Sequence, residues 1–405
     1  MGARRRAVLG GGVCLAASLA VTGVAIGSGE QRGQAVRSGA AVRWTATWSA
    51  SMGGATAKPV SASSYTLRDV VRVSAGGSAV RIRLSNFYAR QNAVIGRVMV
   101  APARQGAPAG RFVPVTFNGR RQVTIPAGKH AASDAVRLRV GAGADLIVDT
   151  HVRKSPAKVS FHATGKATTR VARGDHAGAK AAGAFTVSKT SRYFLTGVDV
   201  SGSRRVVVAF GDSITDGSGS TTDRDRRYPD RLAARLRGRL AVTNAGIAGN
   251  RMLDDQVSRG AGLAGVRRFT SHALDQQPGV RTVILLQGGN DITGRTPPRT
   301  AAEMVAGYRK MVAAAHKRGI RVLGGTITPR TGASGHTAAK ERVRAEVNRR
   351  IRAGGVFDGV IDFDAALRDP ARPARLRAAY DSGDHRHPND RGYAAMAAAV
   401  NLGLL

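Results

Sequence analysis

The stretch VVVAFGDSITDG, from Val206 to Gly217, decides the fold of the second half of the chain. It opens with an uninterrupted apolar run, which is typical of a strand buried on both faces of a sheet. The run stops at Gly211, and small and polar residues follow. A corner after a buried strand is where α/β proteins place ligand-binding and catalytic groups. The stretch therefore predicts a functional corner in an α/β domain.

Further apolar runs follow the first one, and amphipathic helical patterns separate them. The runs are 240–243, 282–286, 320–326 and 360–363. Met304 and Met311 indicate one buried helical face, and Val343 and Ile351 indicate another. Alternating strands and helices are typical of a parallel sheet with right-handed crossovers. The pattern predicts a mainly parallel, five-stranded sheet in a three-layer α/β/α domain over residues 204–405.

Residues 44–200 have a different hydrophobic pattern. Apolar and polar residues alternate there, as at 80–84 and 136–140. A period of two is typical of strands with one buried face and one exposed face. Because turn signals separate these segments and no long helical pattern intervenes, we expect an all-β sandwich or jelly-roll-like domain. The Ala- and Gly-rich segment 163–184 is predicted to be a loop or an insertion.

The chain of 405 residues is strongly basic, with 63 Lys and Arg against 26 Asp and Glu and a formal net charge of +37. Arginines at polar positions of the predicted strands are Arg72, Arg81, Arg83, Arg137 and Arg139. This excess predicts attraction to an anionic cell-wall or membrane surface. No specific nucleic acid partner is expected, because the sequence has no zinc-finger spacing, RNA-binding signature or basic zipper, and aromatic residues make up only 5%.

Residues 1–27 have the pattern of a secretory signal peptide, in which three arginines precede an apolar segment and small residues suited to cleavage. The segment is too short and too rich in glycine for a membrane span. Cys14 is the only cysteine and lies within it, so the mature protein is expected to contain no disulfide. Residues 28–43 are predicted to be a flexible linker. We expect a secreted, extracellular protein whose charge favours cell-wall association.

Gly211, Asp212 and Ser213 are weak evidence by themselves, because a tight turn with a capping serine has the same sequence. The stretch is not the Gly-x-Ser-x-Gly elbow of α/β-hydrolases, since Thr215 stands at the second glycine. It is not a phosphate loop either, because no Gly-Lys-Ser/Thr follows. Other segments of the chain are therefore needed to decide whether this corner is a functional site.

Three further segments lie after predicted strands or near the C-terminus. They are TNAGIAGNR (243–251), LLQGGNDI (285–292) and DSGDHRHPNDRGY (381–393). Together with FGDSITDG, their order and spacing resemble the four blocks of the SGNH, or GDSL, family of serine esterases and lipases. The resemblance covers residues 205–405, and the β-rich first half resembles that of secreted actinobacterial members.

The resemblance implies a role for each matching residue. Ser213 would be the nucleophile, His387 the general base and Asp384 its orienting partner. The oxyanion hole would consist of the Ser213 N–H, the Gly246 N–H and the side-chain amide of Asn290. A serine hydroxyl needs a base to become a good nucleophile, and the tetrahedral intermediate of an ester needs donors aimed at its oxygen. No metal or cofactor is expected.

Two alternatives stay open at this point. His385 and His387 with Asp384 form a His-x-His pattern that is common at metal sites, although no second ligand cluster is evident.

The favoured interpretation is a secreted serine esterase that hydrolyses carboxylic esters through an acyl-enzyme, on an acylated polysaccharide or a lipid. The alternative is a carbohydrate- or cell-wall-binding protein with a vestigial hydrolase domain.

Overall fold

The computed structural model describes residues 42–61 and 63–405. The predicted signal peptide and nearly all of the predicted linker lie outside the described residues. Val42–Leu405 form one compact unit. In the described ranges, no helix has both the length and the hydropathy needed to cross a membrane.

Antiparallel strands make up the chain as far as residue 201, here called the strand-rich half (44–201). They are β1 (Trp44–Ser49), β2 (Gly54–Ala57), β3 (Tyr65–Arg72), β4 (Val80–Ser85), β5 (Ala93–Arg104), β6 (Ala107–Pro108), β7 (Val113–Val115), β8 (Val123–Ile125), β9 (His130–Ala132), β10 (Asp145–Lys154), β11 (Val159–His162), β12 (Thr169–Arg173), β13 (Val187–Lys189), β14 (Arg192–Tyr193) and β15 (Leu195–Ser201). One sheet has the order β1-β15-β4-β9 and another the order β14-β11-β2. The largest has the order β13-β12-β3-β10-β5-β6, with β7 and β8 also paired to β5.

Two local predictions for the strand-rich half are wrong. The segment 163–184 contains strand β12, which pairs antiparallel with β3 along its whole length. Its sequence, TRVAR, is short and is surrounded by Gly and Ala, which hid the strand pattern. Conversely, 136–140 forms only isolated bridges to Val80 and Gly77, because the residues between the two bridges have no strand partner.

The arginines on these strands are mostly paired rather than free. Arg81 and Arg83 bond to the two carboxylate oxygens of Asp199, at 2.7 and 3.0 Å. Arg72 bonds to Asp145 at 2.8 Å. The expectation that Arg83 faces solvent is wrong, because its side chain is buried against Asp199. The side chains of Arg72, Arg137 and Arg139 are exposed.

The remaining chain is the parallel-sheet half (206–405). Its strands are β16 (Val206–Gly211), β17 (Ala241–Gly246), β18 (Val280–Leu286), β19 (Arg321–Gly325) and β20 (Gly359–Ile361). Its helices are α1 (Ser213–Asp216), α2 (Tyr228–Leu236), α3 (Gly265–Phe269), α4 (Gly289–Thr293), α5 (Ala301–His316), α6 (Ala338–Arg352), α7 (Phe363–Leu367) and α8 (Asp390–Ala399). Short 3-10 segments cover Val257–Arg259, Ala378–Tyr380 and Leu402–Leu404, and a π-helical turn covers Thr270–Asp275. The sheet order is β17-β16-β18-β19-β20, and every pairing is parallel, as the apolar runs predict.

Strand β16 is central in this sheet and is buried on both faces. Val208 and Phe210 pack in one apolar cluster with residues of α5, including Met304. Val207 and Ala209 pack in a second cluster with residues of α2 and α8. Because both faces contact helices, the strand carries no polar residue until it reaches the corner at its carboxyl end.

The strand-rich half covers the edge strand β17 of the parallel sheet. The Val242 N–H donates to Ser74 Oγ at 2.9 Å, and Ser49 Oγ donates to Asn244 O at 2.9 Å. An uncovered edge would leave such backbone groups open to pairing with another chain. These bonds also hold the carboxyl end of β17, which leads into the site, against the strand-rich half.

Candidate active site

Ser213 lies at the carboxyl end of β16, where it begins helix α1. The side chain of Asp212 caps this helix by accepting the Ile214 N–H at 3.1 Å. Gly211 has no room for a side chain, because a Cβ there would lie 2.2 Å from Thr215 Oγ1. The strand therefore ends on Gly-Asp-Ser because close packing needs the glycine, capping needs the aspartate, and the serine then stands at the turn.

The structure brings Ser213, His387 and Asp384 together in a hydrogen-bonded series. Ser213 Oγ donates to His387 Nε2 at 2.8 Å, and His387 Nδ1 donates to Asp384 Oδ2 at 2.6 Å. Ser213 comes from the corner after β16, whereas the other two come from the loop before α8. This series is the arrangement in which an imidazole can take a proton from a serine hydroxyl while a carboxylate orients the ring.

Asp384 is kept ionised by the groups it accepts from. Burial acts to raise its pKa, but the backbone and side-chain hydrogen bonds from His387 outweigh burial and hold the pKa of Asp384 at about 2. The Arg386 N–H also donates to its Oδ1, at 2.9 Å. The carboxylate is therefore available to stabilise an imidazolium at His387.

His385 belongs to a second histidine–carboxylate pair in the same loop. Its Nδ1 lies 2.6 Å from Asp381 Oδ2, and 56% of its side chain is exposed. It packs against Gly332, where an added Cβ would lie 3.2 Å from its ring. The two histidines of the His-x-His pattern thus pair with different carboxylates rather than converging on one common point.

Two of the predicted oxyanion donors have hydrogens available. Among the described residues, no acceptor takes the Ser213 N–H. Asn290 lies in the first turn of α4, and its Nδ2 donates to Asn250 O at 3.0 Å. That bond uses one amide hydrogen, so the second remains for a ligand. Gly289 before it fits closely, since a Cβ there would lie 2.2 Å from the guanidinium of Arg330.

The prediction that Gly246 supplies an oxyanion donor is wrong. Its N–H donates to Asn244 Oδ1 at 2.9 Å and is therefore already used. The residue is buried at the end of β17, where a Cβ would lie 2.4 Å from Asp216 N. Gly246 is required for close backbone packing beneath the site and does not present a free donor to it.

Gly249, three residues further along, has the properties expected of the missing donor. Its φ is +76°, it is exposed, and its N–H has no acceptor in the described part of the chain. The preceding Ala248 N–H is fixed by Asp216 Oδ2 at 2.8 Å. The following residue, Asn250, accepts the Asn290 amide, which places this turn beside that donor. The segment GIAG contains both glycines, and its pattern alone does not distinguish them.

Arg268 is a buried arginine that connects three segments of the site by hydrogen bonds. The sequence analysis did not identify it. Arg268 donates to Gly211 O at 2.7 Å, to Ala245 O at 2.8 Å and to Asn250 Oδ1 at 2.9 Å. Its guanidinium lies 4.0 Å from the ring centroid of Phe210, a cation–π contact. Burial lowers the pKa of Arg268 to about 9. It joins the ends of β16 and β17 to the turn that carries the candidate donor.

Asp291, next to Asn290, supports the same loop from the other side. Its carboxylate accepts the Met252 N–H at 2.8 Å and the Leu253 N–H at 2.9 Å. Burial raises the pKa of Asp291 to about 6, although both backbone bonds oppose the shift. The aspartate of the third sequence block therefore fixes the two residues that directly follow the second block, while the neighbouring asparagine keeps a hydrogen for a ligand.

Comparisons with known proteins identify a family for the part of the chain that contains this site. Residues 209–395 match the GDSL-like Lipase/Acylhydrolase family. The search of curated proteins found no match. Similar solved structures include the native aryl esterase of M. smegmatis, with 19% identity over 48% of this chain and 95% of that one and a TM-score of 0.39. A carbohydrate acetylesterase from Sinorhizobium meliloti has 21% identity over 48% of this chain and 96% of that one, with a TM-score of 0.38.

The family match spans the corner with Ser213, the loop with Asn290 and the loop with Asp384 and His387. Acyl hydrolysis is the chemistry that such a hydrogen-bonded serine, histidine and aspartate perform. Residues 209–395 therefore form a domain of the GDSL-like lipase/acylhydrolase family, and the protein is a carboxylic ester hydrolase.

Proposed function

We propose that the protein hydrolyses esters through an acyl-enzyme on Ser213. The observation that carries this proposal is the unbroken series from Ser213 Oγ through the His387 ring to Asp384 Oδ2, with distances of 2.8 and 2.6 Å. In the first half-reaction, Ser213 Oγ attacks the ester carbonyl carbon while His387 Nε2 takes its proton. The imidazolium then gives that proton to the leaving alcohol, and the C–O bond of the ester breaks.

The second half-reaction releases the acid. A water molecule attacks the acyl carbon while His387 accepts one of its protons, and the bond between the acyl carbon and Ser213 Oγ breaks. The serine oxygen recovers the proton from His387. In both half-reactions the ring stays oriented because Asp384 holds its Nδ1.

Three donors would stabilise the tetrahedral intermediates. We assign them to the Ser213 N–H, the Gly249 N–H and the second amide hydrogen of Asn290. The first two have no acceptor among the described residues, and the third is adjacent to the Gly249 turn through the bond from Asn290 to Asn250. Donors held in place before reaction stabilise the developing charge without reorganisation.

We propose an acylated carbohydrate as the substrate rather than an aggregated lipid. Interfacial enzymes present large contiguous apolar patches to their substrates. In the described part of the chain, the large hydrophobic side chains that are exposed are those of Val42 and Val187. A polar, soluble ester suits such a surface better. Within the strand-rich half, residues 44–200 would then be an accessory β-sandwich domain, beside a three-layer α/β/α hydrolase domain (204–405).

We also propose that the protein is exported and stays near anionic cell-wall polymers. The pattern of residues 1–27 and the net charge of +37 support this. Although several strand arginines are paired, Arg137 and Arg139 remain exposed. Cell fractionation tests export, and retention on isolated envelopes should fall as salt rises, since salt shortens the Debye length. Retention that is independent of salt would contradict electrostatic attachment.

The substrate test is turnover by the purified mature protein. The panel contains p-nitrophenyl acetate, butyrate and palmitate, acetylated xylan and a phospholipid vesicle. We expect hydrolysis of the acetate ester and release of acetate from xylan. Preference for palmitate and the vesicle would assign the enzyme to lipids. No turnover of any ester, with the protein folded, would favour the alternative of a binding protein with a vestigial hydrolase domain.

A further inference from the structure

A histidine of the strand-rich half reaches into the parallel-sheet half and bonds to the helix that begins with Ser213. His162, the last residue of β11, places its Nε2 2.9 Å from Asp216 Oδ1. Asp216 is the last residue of α1, three positions after the nucleophile. Both residues are almost fully buried, with 3% and 1% of their surfaces exposed. His162 has no part in the acyl-enzyme mechanism proposed above.

The ring of His162 faces only acceptors. Its Nδ1 lies 2.8 Å from Ser51 O, and its Nε2 lies 3.1 Å from Thr164 O as well as facing Asp216. A carbonyl oxygen cannot donate, so each ring nitrogen must carry a hydrogen. The geometry thus favours an imidazolium, bonded to a carboxylate in the interior. Burial acts to lower the pKa of His162, but the charge of Asp216 and the hydrogen bonds outweigh burial and raise this pKa above its usual value. The raised pKa agrees with a protonated ring.

The other charged groups around the ring have partners of their own. Arg192, on the neighbouring strand β14, pairs with Asp69 at 2.8 Å. Arg227 lines the same interior space and pairs with Asp230 at 2.7 Å. Strand β2, on the other side of β11, carries only uncharged residues. Asp216 is therefore the group that balances the charge of His162.

The second oxygen of Asp216 acts on the active site. Asp216 Oδ2 accepts the Ala248 N–H at 2.8 Å, and the next residue is Gly249, which carries the candidate oxyanion donor. The Asp216 N–H is itself held by Asp212 O at 2.9 Å, in the first turn after the strand. One carboxylate thus joins three parts: the histidine of the strand-rich half, the helix of the nucleophile and the turn of the donor.

We propose that His162 is a positioning residue of the esterase site, which orients Asp216 and, through the Ala248 N–H, holds the Gly249 turn where its N–H can meet the oxyanion. This inference rests on the proposed function. It gives the strand-rich half a part in catalysis besides any contact with substrate. The donor acts on the intermediate and not on the bound ester, so its displacement should lower kcat with little change in KM.

A pair of neutral variants separates this role from a purely structural one. In His162→Gln the amide nitrogen reaches the position of Nε2 and can donate to Asp216. In His162→Asn it reaches the position of Nδ1 and can donate only to Ser51 O. Both variants lose the charge. We expect His162→Asn to lower kcat by about 10- to 100-fold, as small misplacements in a site do, and His162→Gln to restore most of it at similar melting temperature.

The pH dependence of kcat tests the positioning role separately from stability, because a purely structural role of His162 would not change it. A raised pKa means that the ring keeps its proton to a higher pH than an ordinary histidine does, and loses it as pH rises through that pKa. In the wild type, kcat should therefore decline on the alkaline side together with the 15N imidazole signals of His162. The decline should be absent in His162→Gln. This measurement on the wild type decides the matter even if the variants fold poorly.

The outcomes distinguish the inference from the function it rests on. If Ser213→Ala abolishes turnover but the Gln and Asn variants have equal kcat, the positioning role is wrong and the esterase mechanism stands. A decline in kcat without titration of His162 also overturns the role. If Ser213→Ala keeps wild-type turnover, the proposed mechanism itself fails.

Discussion

Asp384 bonds to His387 twice: Oδ1 accepts its backbone N–H at 2.8 Å and Oδ2 lies 2.6 Å from its ring Nδ1. The same carboxylate therefore fixes both the main chain and the ring plane of the proposed base. A short loop is enough for both bonds, because Asp384 and His387 are only three positions apart in the sequence. The serine is the only member of the series that must come from elsewhere.

Removing Ser213 or His387 should each abolish nearly all turnover. The two groups act as a unit, so we expect losses on the order of 10⁶ in kcat for either alanine variant and little more for the double variant. Steady-state rates on p-nitrophenyl acetate measure this. His385→Ala is the matched control, because His385 has its own aspartate in the same loop, and it should stay near wild type. Loss of activity in the control with retention in Ser213→Ala would refute the assignment.

Asn290→Ala should lower kcat by a factor on the order of 10² to 10³, because it removes one donor to the developing oxyanion. KM should change little, since the ester carbonyl in the ground state depends less on that donor. A burst of acylation should still be detectable in rapid-mixing experiments, because Ser213 and His387 are intact. A variant with normal kcat and a raised KM would show that Asn290 binds substrate instead.

Acid should inactivate the enzyme through one group. The hydrogen bonds from His387, against the effect of burial, hold the pKa of Asp384 at about 2, so this carboxylate stays ionised well below neutral pH. The acid limb of log kcat/KM should therefore have a slope of one, because the serine mechanism depends on a single general base. An unchanged slope in Asp291→Asn would show that the acid limb does not come from the titration of Asp291. A slope of two in both proteins would contradict a single titrating base.

Asp291 should make the protein less stable as pH rises across a mildly acidic window. Its folded pKa of about 6, raised by burial, exceeds the ordinary value of about 4, so the folded state holds a proton that the unfolded state has lost. The free energy of unfolding should fall by on the order of 2 kcal/mol between those pH values from this group. Urea unfolding of the wild type and Asp291→Asn across pH 4 to 6.5 measures it as a difference in slope. Equal slopes would show that Asp291 is ionised throughout.

Much of the parallel-sheet half could be predicted because its signals are local. The apolar runs match the five strands, since a strand buried on both faces excludes polar residues along its whole length. The faces with Met304 and Ile351 match α5 and α6. In the strand-rich half the pattern was weaker. The strand at Thr169–Arg173 is too short and too close to Gly and Ala to show a period of its own.

The sequence alone determined the alternation of strands and helices and the residue types at the corner and loops, including Ser213, Asp384, His387 and Asn290. Only the tertiary structure decided which backbone hydrogens face the site. Gly246 and Gly249 look alike in sequence, but the N–H of Gly246 is taken by Asn244. It also decided that His162 meets Asp216, 54 residues away. The physical reason is that polarity and spacing record whether a residue is buried, whereas hydrogen bonds depend on which distant atoms the packing brings into contact.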